Sequence, residues 1–204
     1  HDSRQVKPGT LFWAVPGTAR DGHAFLEDAV RRGAAAAIVG EARTLPVPTV
    51  LVGDARKALA VVAAAWHGRP ANGMRLIGVT GTNGKSTTVS VTRHLLNSSG
   101  TAGSIGTLGA FDGAGAPAGP DLALTTPGAL ELHAALAALR ARGVDTVVME
   151  ASSHALHQLR LYGLVFSAAV YTNLTHDHLD YHGDLQSYLA AKLMLSEQMS
   201  EQGT

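Results

Sequence analysis

Residues 77–88, Ile-Gly-Val-Thr-Gly-Thr-Asn-Gly-Lys-Ser-Thr-Thr, have the types and spacing to hold phosphate. Gly81 and Gly84 let a backbone turn tightly and come close to a ligand. Such a turn directs N–H groups inward, and a following helix adds its own unpaired N–H groups and dipole. Lys85 would bring a full positive charge to the outer phosphates, and Ser86 a hydroxyl to a bound Mg²⁺. The common phosphate-loop pattern has a glycine where this chain has Val79, so the motif is a near match. An apolar strand before it and Val89, Val91, Leu95 and Leu96 after it, on a helix over 85–99, supply the context. The plain alternative is an ordinary strand–turn–helix corner.

Glu150 closes the apolar run 144–149, where a carboxylate can either coordinate Mg²⁺ or point into solvent. Between His176 and His182 lie three imidazoles and two carboxylates, in Asn-Leu-Thr-His-Asp-His-Leu-Asp-Tyr-His from Asn173. Transition-metal binding, a share in Mg²⁺ coordination beside ATP, and a solvated polar loop are all open readings. Lys192 shares an apolar helical stripe with Leu185, Tyr188, Leu189 and Leu195. A lysine there must snorkel, pair or lose its charge, and a neutral amine is a nucleophile able to take up CO₂ as a carbamate. Taken alone, the residues favour snorkelling. Ser152-Ser153-His154 does not read as a nucleophile with its base, because no Gly-x-Ser-x-Gly elbow is present.

The surrounding elements must bring these groups together. The first block, 1–70, reads as strand 11–15, a helix through Phe25, Leu26, Ala29 and Val30, buried strands 36–39 and 49–52, and a helix from Asp54 through Leu59, Val62 and Trp66. Residues 69–73 make a linker, placing a domain boundary near 71. The second block, 71–204, alternates strand and helix. Residues 101–120 read as a hairpin or mobile loop, Thr126-Pro127 opens a helix with Leu130, Leu132, Leu136 and Leu139, 165–171 is a strand, and 184–199 is the last helix. Apolar strands each followed by a helix predict an α/β fold: a small N-terminal α/β domain, then a phosphate-loop-type, mostly parallel sheet with helices on both faces. Ligands bind such sheets beyond the strands' carboxyl ends, where the glycine turn, Glu150 and Asn173 all fall.

Composition narrows the partners. With 204 residues, 46% apolar, 16% charged and zero formal net charge, the chain can fill a core and lacks the basic excess of a nucleic-acid binder. It has no cysteine, which removes disulfides and thiolate metal sites. Its apolar runs are short of a membrane span and its first residues are polar, so a soluble cytoplasmic protein is expected.

Several ordered motifs together resemble the Mur ligase family, in particular members that add the third residue of the peptidoglycan stem peptide. They are Asp2-Ser3-Arg4, Gly81-Thr82-Asn83-Gly84-Lys85-Ser86-Thr87, Thr125-Thr126-Pro127, Met149-Glu150-Ala151-Ser152-Ser153-His154, the run Thr172 to Gly183, and Ala190-Ala191-Lys192. The resemblance implies a uridine-nucleotide-binding first domain, an ATP-binding central domain and an amino-acid-binding third domain. It implies that Ser3, Thr18, Ala19 and Arg20 contact the uridine diphosphate end of a UDP-N-acetylmuramoyl dipeptide. Thr125, Thr126, Ser152, Gln158 and Arg160 would hold the dipeptide, and residues 81–87 the ATP phosphates. Ser86, Glu150, His178 and a carbamylated Lys192 would serve Mg²⁺, with Lys85, Glu150, His178 and Lys192 as the catalytic set. The resemblance thus reverses the plain reading of Lys192. Departures are small: Ser86 where threonine is common, and Ala151 where valine is usual. The chain stops just after the lysine helix, so the third domain is expected to lie outside it and the chain not to complete ligation alone. Related amide ligases, of the folylpolyglutamate or cyanophycin synthetase type, and a non-catalytic nucleotide-binding relative are the competing readings. The start Asp2-Ser3-Arg4 argues against the first, and the presence of Lys85, Glu150, His178 and Lys192 against the second.

Overall fold

The computed structural model describes residues 2–17, 21–98, 100–201 and 203. The expected uridine contacts Thr18, Ala19 and Arg20 therefore lie outside the described residues. The chain divides into two compact units, His1–Leu59 and Ala60–Thr204.

The first unit holds β1 (Thr10–Trp13), α1 (Leu26–Arg31), β2 (Ala34–Val39), β3 (Thr49–Leu51) and the start of α2 (Ala55–Trp66). Its three strands are all parallel, in the order β1-β2-β3. Phe12, Ala14, Leu26, Ala29, Ala34, Ala37 and Val39 form the core between strand and helix. Asp54 starts α2 as expected, its carboxylate accepting from the N–H groups of Arg56 and Lys57 at 2.9 and 3.0 Å. One expectation fails here. β3, expected to be buried, is an exposed edge strand, with Val50 52% and Leu51 61% accessible. Trp66, the last residue of α2, is 81% accessible. Apolar character at these positions did not report burial, because periodicity gives a face and not what covers it.

The second unit has a five-stranded sheet in the order β6-β5-β7-β4-β8. It is made of β4 (Arg75–Thr80), β5 (Ala102–Gly106), β6 (Gly109–Phe111), β7 (Thr146–Glu150) and β8 (Ala168–Tyr171). Only the β5–β6 pair is antiparallel. The helices are α3 (Lys85–Leu96), α4 (Ala129–Ala141), α5 (Ser153–His157), α6 (Leu179–His182) and α7 (Leu185–Leu193). Alternate residues of the central strands are buried on opposite faces. Val79 and Val148 pack with Val89 and Leu96 of α3. Leu76, Val147 and Met149 pack with Leu132, Leu136 and Leu139 of α4 and with Phe166 and Leu195. That is why these strands read as unbroken apolar runs. Gly78 is on the second face, where a Cβ would come within 2.8 Å of Leu195.

The segment 101–120 is a hairpin, but its first strand is no surface loop. Every residue of β5 is buried and the strand pairs in parallel with β7. The helices are shorter than the sequence suggests. α3 stops at Leu96 with Asn97 as its C-cap, and α4 begins at Ala129, two residues beyond Pro127. α7 ends at Leu193, after which Leu195 turns fully into the core and Ser196–Gln198 form a 3-10 turn. β8 begins at Ala168, three residues later than expected. Among the described residues no helix is long and apolar enough to cross a membrane.

Leu136 and Leu130 share α4, yet Leu136 is fully buried and Leu130 is 37% accessible. Leu136→Ala is expected to cost about 2–5 kcal/mol of unfolding free energy and Leu130→Ala under about 1 kcal/mol, read from denaturant midpoints. Equal costs would show that α4 does not face the core in this register.

Candidate functional site

At the carboxyl end of β4 the chain turns through Gly81 and Gly84 into α3. Gly81 has φ +146°, and a Cβ there would collide with the Thr172 hydroxyl, so the position needs glycine. Gly84, with φ +85°, is the N-cap of α3. The segment after β8 pins this turn. Thr82 N–H donates to the Asn173 carbonyl at 3.1 Å, and Asn83 N–H to the Asn173 side-chain oxygen at 3.0 Å. The Thr172 hydroxyl donates to the Asn83 carbonyl at 2.6 Å. Two of the turn's N–H groups are thereby committed to protein. The first intrahelical bond of α3 is from Thr88 N–H to Gly84, so the N–H groups of Lys85, Ser86 and Thr87 are those that a helix start leaves for a ligand. The Lys85 ammonium donates to the carbonyls of Gly81 and Thr82 at 2.8 and 2.9 Å.

Glu150 ends β7 directly beside this turn and is 2% accessible. The Ser86 hydroxyl donates to its Oε1 at 2.8 Å, and the N–H of Thr107 donates to the same oxygen at 2.9 Å. The Thr107 hydroxyl lies 3.4 Å from Oε2. Thr107 was not singled out by sequence; it follows β5, in the segment read as a hairpin or loop. A Cβ at Gly106 would collide with the Glu150 carboxylate, so the strand end can approach only as glycine.

The expected dipeptide contacts are connected to the same residue, Glu150, most of them through its main-chain carbonyl. Thr126 donates its hydroxyl to the Glu150 carbonyl at 2.8 Å and accepts from Ser152 N–H at 2.9 Å. Arg160 donates to the Thr126 carbonyl at 2.9 Å and to Gln158 Oε1 at 2.6 Å. Thr125 accepts from Thr107 at 3.1 Å. The Ser152 hydroxyl is already engaged, capping α5 by accepting from Ala155 N–H at 3.3 Å. Ser3, the remaining predicted contact, is buried in a 3-10 turn of the first unit.

Lys192 is 2% accessible, so it does not snorkel. Its ammonium lies 4.2 Å from the centre of the Tyr188 ring. Tyr188, read from the sequence only as an apolar stripe residue, also shares a hydrogen bond of 3.3 Å with the Thr82 hydroxyl. Burial, and then the nearby charge of Lys85, push the Lys192 ammonium down to about 8, against a smaller opposing pull from Asp177. Burial also lowers Lys85, with Glu150 and then Asp177 opposing. The two lysines, Glu150 and Asp177 thus occupy one electrostatic neighbourhood.

His178 is at the N-terminus of α6 with φ +52°, a left-handed conformation that histidine tolerates better than bulkier residues. Its ring stands 4.6 Å from that of His154 and 6.2 Å from that of Tyr188. Among the described residues no three histidine, aspartate or glutamate side chains converge as a metal cage. The imidazole-rich run forms a cluster of rings. His182 packs between Tyr181 and Tyr188 at 4.8 and 5.1 Å and pairs with the Ser153 hydroxyl at 3.0 Å. Burial, then the neighbouring histidines, push His182 down to about 4. For Mg²⁺ the donors fit differently: the Ser86 hydroxyl and Glu150 carboxylate are hard oxygens 2.8 Å apart, the kind of sparse set a Mg²⁺ ion accepts beside phosphate oxygens.

A parallel sheet with a glycine-rich turn, a helix headed by Lys85-Ser86 and a carboxylate on the adjacent strand define a phosphate-loop-type α/β domain. The profile described as Mur ligase middle domain matches residues 79–204, and that described as Mur ligase family, catalytic domain, matches residues 1–68. The chain belongs to the Mur ligase family. It is 46% identical over 200 residues to the UDP-N-acetylmuramoyl-L-alanyl-D-glutamate–2,6-diaminopimelate ligase of Geobacillus kaustophilus (strain HTA426), covering 97% of this chain and 40% of that protein. A solved structure of a ligase of that name superposes with TM-score 0.72 at 30% identity, covering 98% of this chain and 41% of the other. MurF ligase from Thermotoga maritima in complex with ADP shares the fold, with TM-score 0.62 at 23% identity over 98% of this chain and 43% of its own. The chain thus spans about two fifths of the length of the relatives it matches.

In a ¹⁵N NMR titration the Lys192 amine is expected to titrate near about 8 instead of its ordinary 10.5, and Lys85→Met is expected to move it upward by removing a like charge. The unfolded chain then binds a proton that the folded chain has released, so this group makes stability rise between about pH 8 and the unfolded value near 10.4. An unshifted Lys192 would mean that its amine reaches water.

Proposed function

We propose that the chain is the nucleotide-binding part of an ATP-dependent ligase of peptidoglycan precursor synthesis. That whole ligase, and not this chain alone, adds the third stem-peptide amino acid to UDP-N-acetylmuramoyl-L-alanyl-D-glutamate in the cytoplasm. The names of the relatives point to 2,6-diaminopimelate as that amino acid. The observation carrying this reading is the contact of Ser86 with Glu150, from which hydrogen bonds run through Thr126 to Ser152 and Arg160. That network joins the glycine turn to hydroxyl, amide and guanidinium donors, which suit an acidic peptide.

The dipeptide carboxylate attacks the γ-phosphorus of ATP and ADP leaves; the incoming amine then attacks the acyl phosphate and phosphate leaves. Two anions meet in the first step, so charge neutralisation and alignment dominate. The turn 81–87 binds the phosphates, with Lys85 exchanging its two carbonyl acceptors for phosphate oxygens. Ser86, Glu150 and His178 would hold Mg²⁺, which supplies further neutralisation. Arg160 and Gln158 orient the dipeptide beside Thr125, Thr126 and Ser152. Ser3, with Thr18, Ala19 and Arg20, holds the uridine diphosphate end in a first domain ending at residue 70, with 71–204 as the central domain. Lys192 becomes a carbamate: its neutral amine bonds to CO₂, losing one proton, and the product carboxylate would offer Mg²⁺ a further oxygen ligand. An amine at about 8 is neutral on the order of a hundredfold more often near pH 7 than an ordinary lysine, which favours that reaction.

The test is calorimetry of an ATP analogue with Mg²⁺ and of the UDP-muramoyl dipeptide. Binding of the nucleotide without any affinity for the dipeptide would replace this reading by another amide ligase. In a full ligase carrying this sequence, Lys85→Ala is expected to lower turnover about 10²–10³-fold. Lys192→Ala is expected to lose activity and regain part of it with added short-chain carboxylates. Unchanged turnover in Lys85→Ala would remove the phosphate-binding role from the turn.

A further inference from the structure

Thr107 touches both halves of the site. Its N–H and the Ser86 hydroxyl both donate to Oε1 of Glu150, while Oε2 has the Thr107 hydroxyl at 3.4 Å as its hydrogen-bond partner among the described residues. The same hydroxyl is 3.1 Å from Thr125 Oγ1. A hydroxyl has one hydrogen, so it can serve one of these acceptors at a time. Neighbouring Thr126 has no such choice, being fixed between the Glu150 carbonyl and Ser152 N–H. Thr107 is exposed, so water could satisfy its hydroxyl and folding does not require either bond. The bare backbone of Gly106 is what lets this strand end reach the carboxylate.

We propose that Thr107 is a positioning residue that links Glu150 to Thr125, so that a cation at the carboxylate and an anionic peptide at Thr125 strengthen each other's binding. The Thr107 hydrogen, shared between Oε2 and Thr125 in this structure, would be left to Thr125 alone once a cation engages Glu150. Thr125, its lone pair then fully engaged, turns its own hydrogen outward as a donor, and hydrogen bonds in such a chain reinforce one another. The reverse order gives the same coupling, because linkage between two binding sites is reciprocal. This rests on the proposed ligase reading, which supplies the cation and the peptide carboxylate.

The experiment measures, by calorimetry on this chain, the affinity for the UDP-muramoyl dipeptide with and without a Mg²⁺–ATP analogue. The wild type is expected to bind the dipeptide about threefold to tenfold more tightly when the nucleotide and Mg²⁺ are present. Thr107→Val keeps the N–H and the shape but loses the hydroxyl. It is expected to bind each ligand alone, melt within about two degrees of the wild type, and show a coupling factor near one. Thr107→Ser is expected to restore the coupling. Full coupling in Thr107→Val, or coupled loss in Thr107→Ser, overturns the link while leaving the ligase reading in place. A wild-type chain that binds nucleotide but no dipeptide overturns both.

Discussion

A carboxylate taken out of water must be given donors or give up its charge. Glu150 is buried at the end of a central strand, and the neighbouring elements converge on it. The start of α3 supplies Ser86, and the end of β5 supplies the Thr107 N–H. The segment ahead of α4 supplies Thr126, which ties the strand's last carbonyl. Each of these comes from a different connection at the carboxyl edge of the sheet. Their meeting depends on the strand order β5-β7-β4, which places β7 between the strand leading to Thr107 and the strand leading to the glycine turn. A different order would leave this charge buried with few partners, at a cost of several kcal/mol. The topology and the carboxylate are therefore one constraint seen at two scales.

Much of this was legible in the chain. The Gly-Lys-Ser turn, the apolar strands β4 and β7 and the terminal glutamate are local patterns with a physical cause each, and their order along the chain gives the α/β class. The missed parts are those in which packing overrides local pattern. β5, Ala-Gly-Ser-Ile-Gly, is built of small residues with poor strand propensity, yet it is fully buried. It must be small because a Cβ at Gly103 would press on Phe111 and Leu139, and one at Gly106 on Glu150. A segment whose sequence looks like a loop is thus a core strand, and Thr107 was hidden with it. Tyr188 was hidden by a different cause: its ring fits a buried stripe, while its hydroxyl and its ring face do polar work. β3 failed in the opposite sense, since apolar composition alone does not say that a covering element exists.

Burial, and then the neighbouring His178, lower His154 from its ordinary value, and burial, then the neighbouring histidines, hold His182 at about 4, so near neutral pH His182 carries no charge. His182 packs among the rings as aromatic surface and does not add to the repulsion among the cations. Two lysines, Lys85 and Lys192, face one another at this end of the sheet.

That pair is unfavourable as two ammoniums. Lys85 depresses Lys192, and burial depresses both, with Asp177 a partial counterweight for each and Glu150 for Lys85 alone. A neutral Lys192 relieves the repulsion at no structural change. A carbamate would go further, turning a like-charged neighbour of Lys85 into an opposite one and adding an oxygen ligand beside the Tyr188 ring. Mg²⁺ would then meet an anion where the bare lysine would repel it. The burial that makes Lys192 a poor ammonium thus also makes it a good amine, and under the proposed chemistry the same two residues change from a liability into a matched pair.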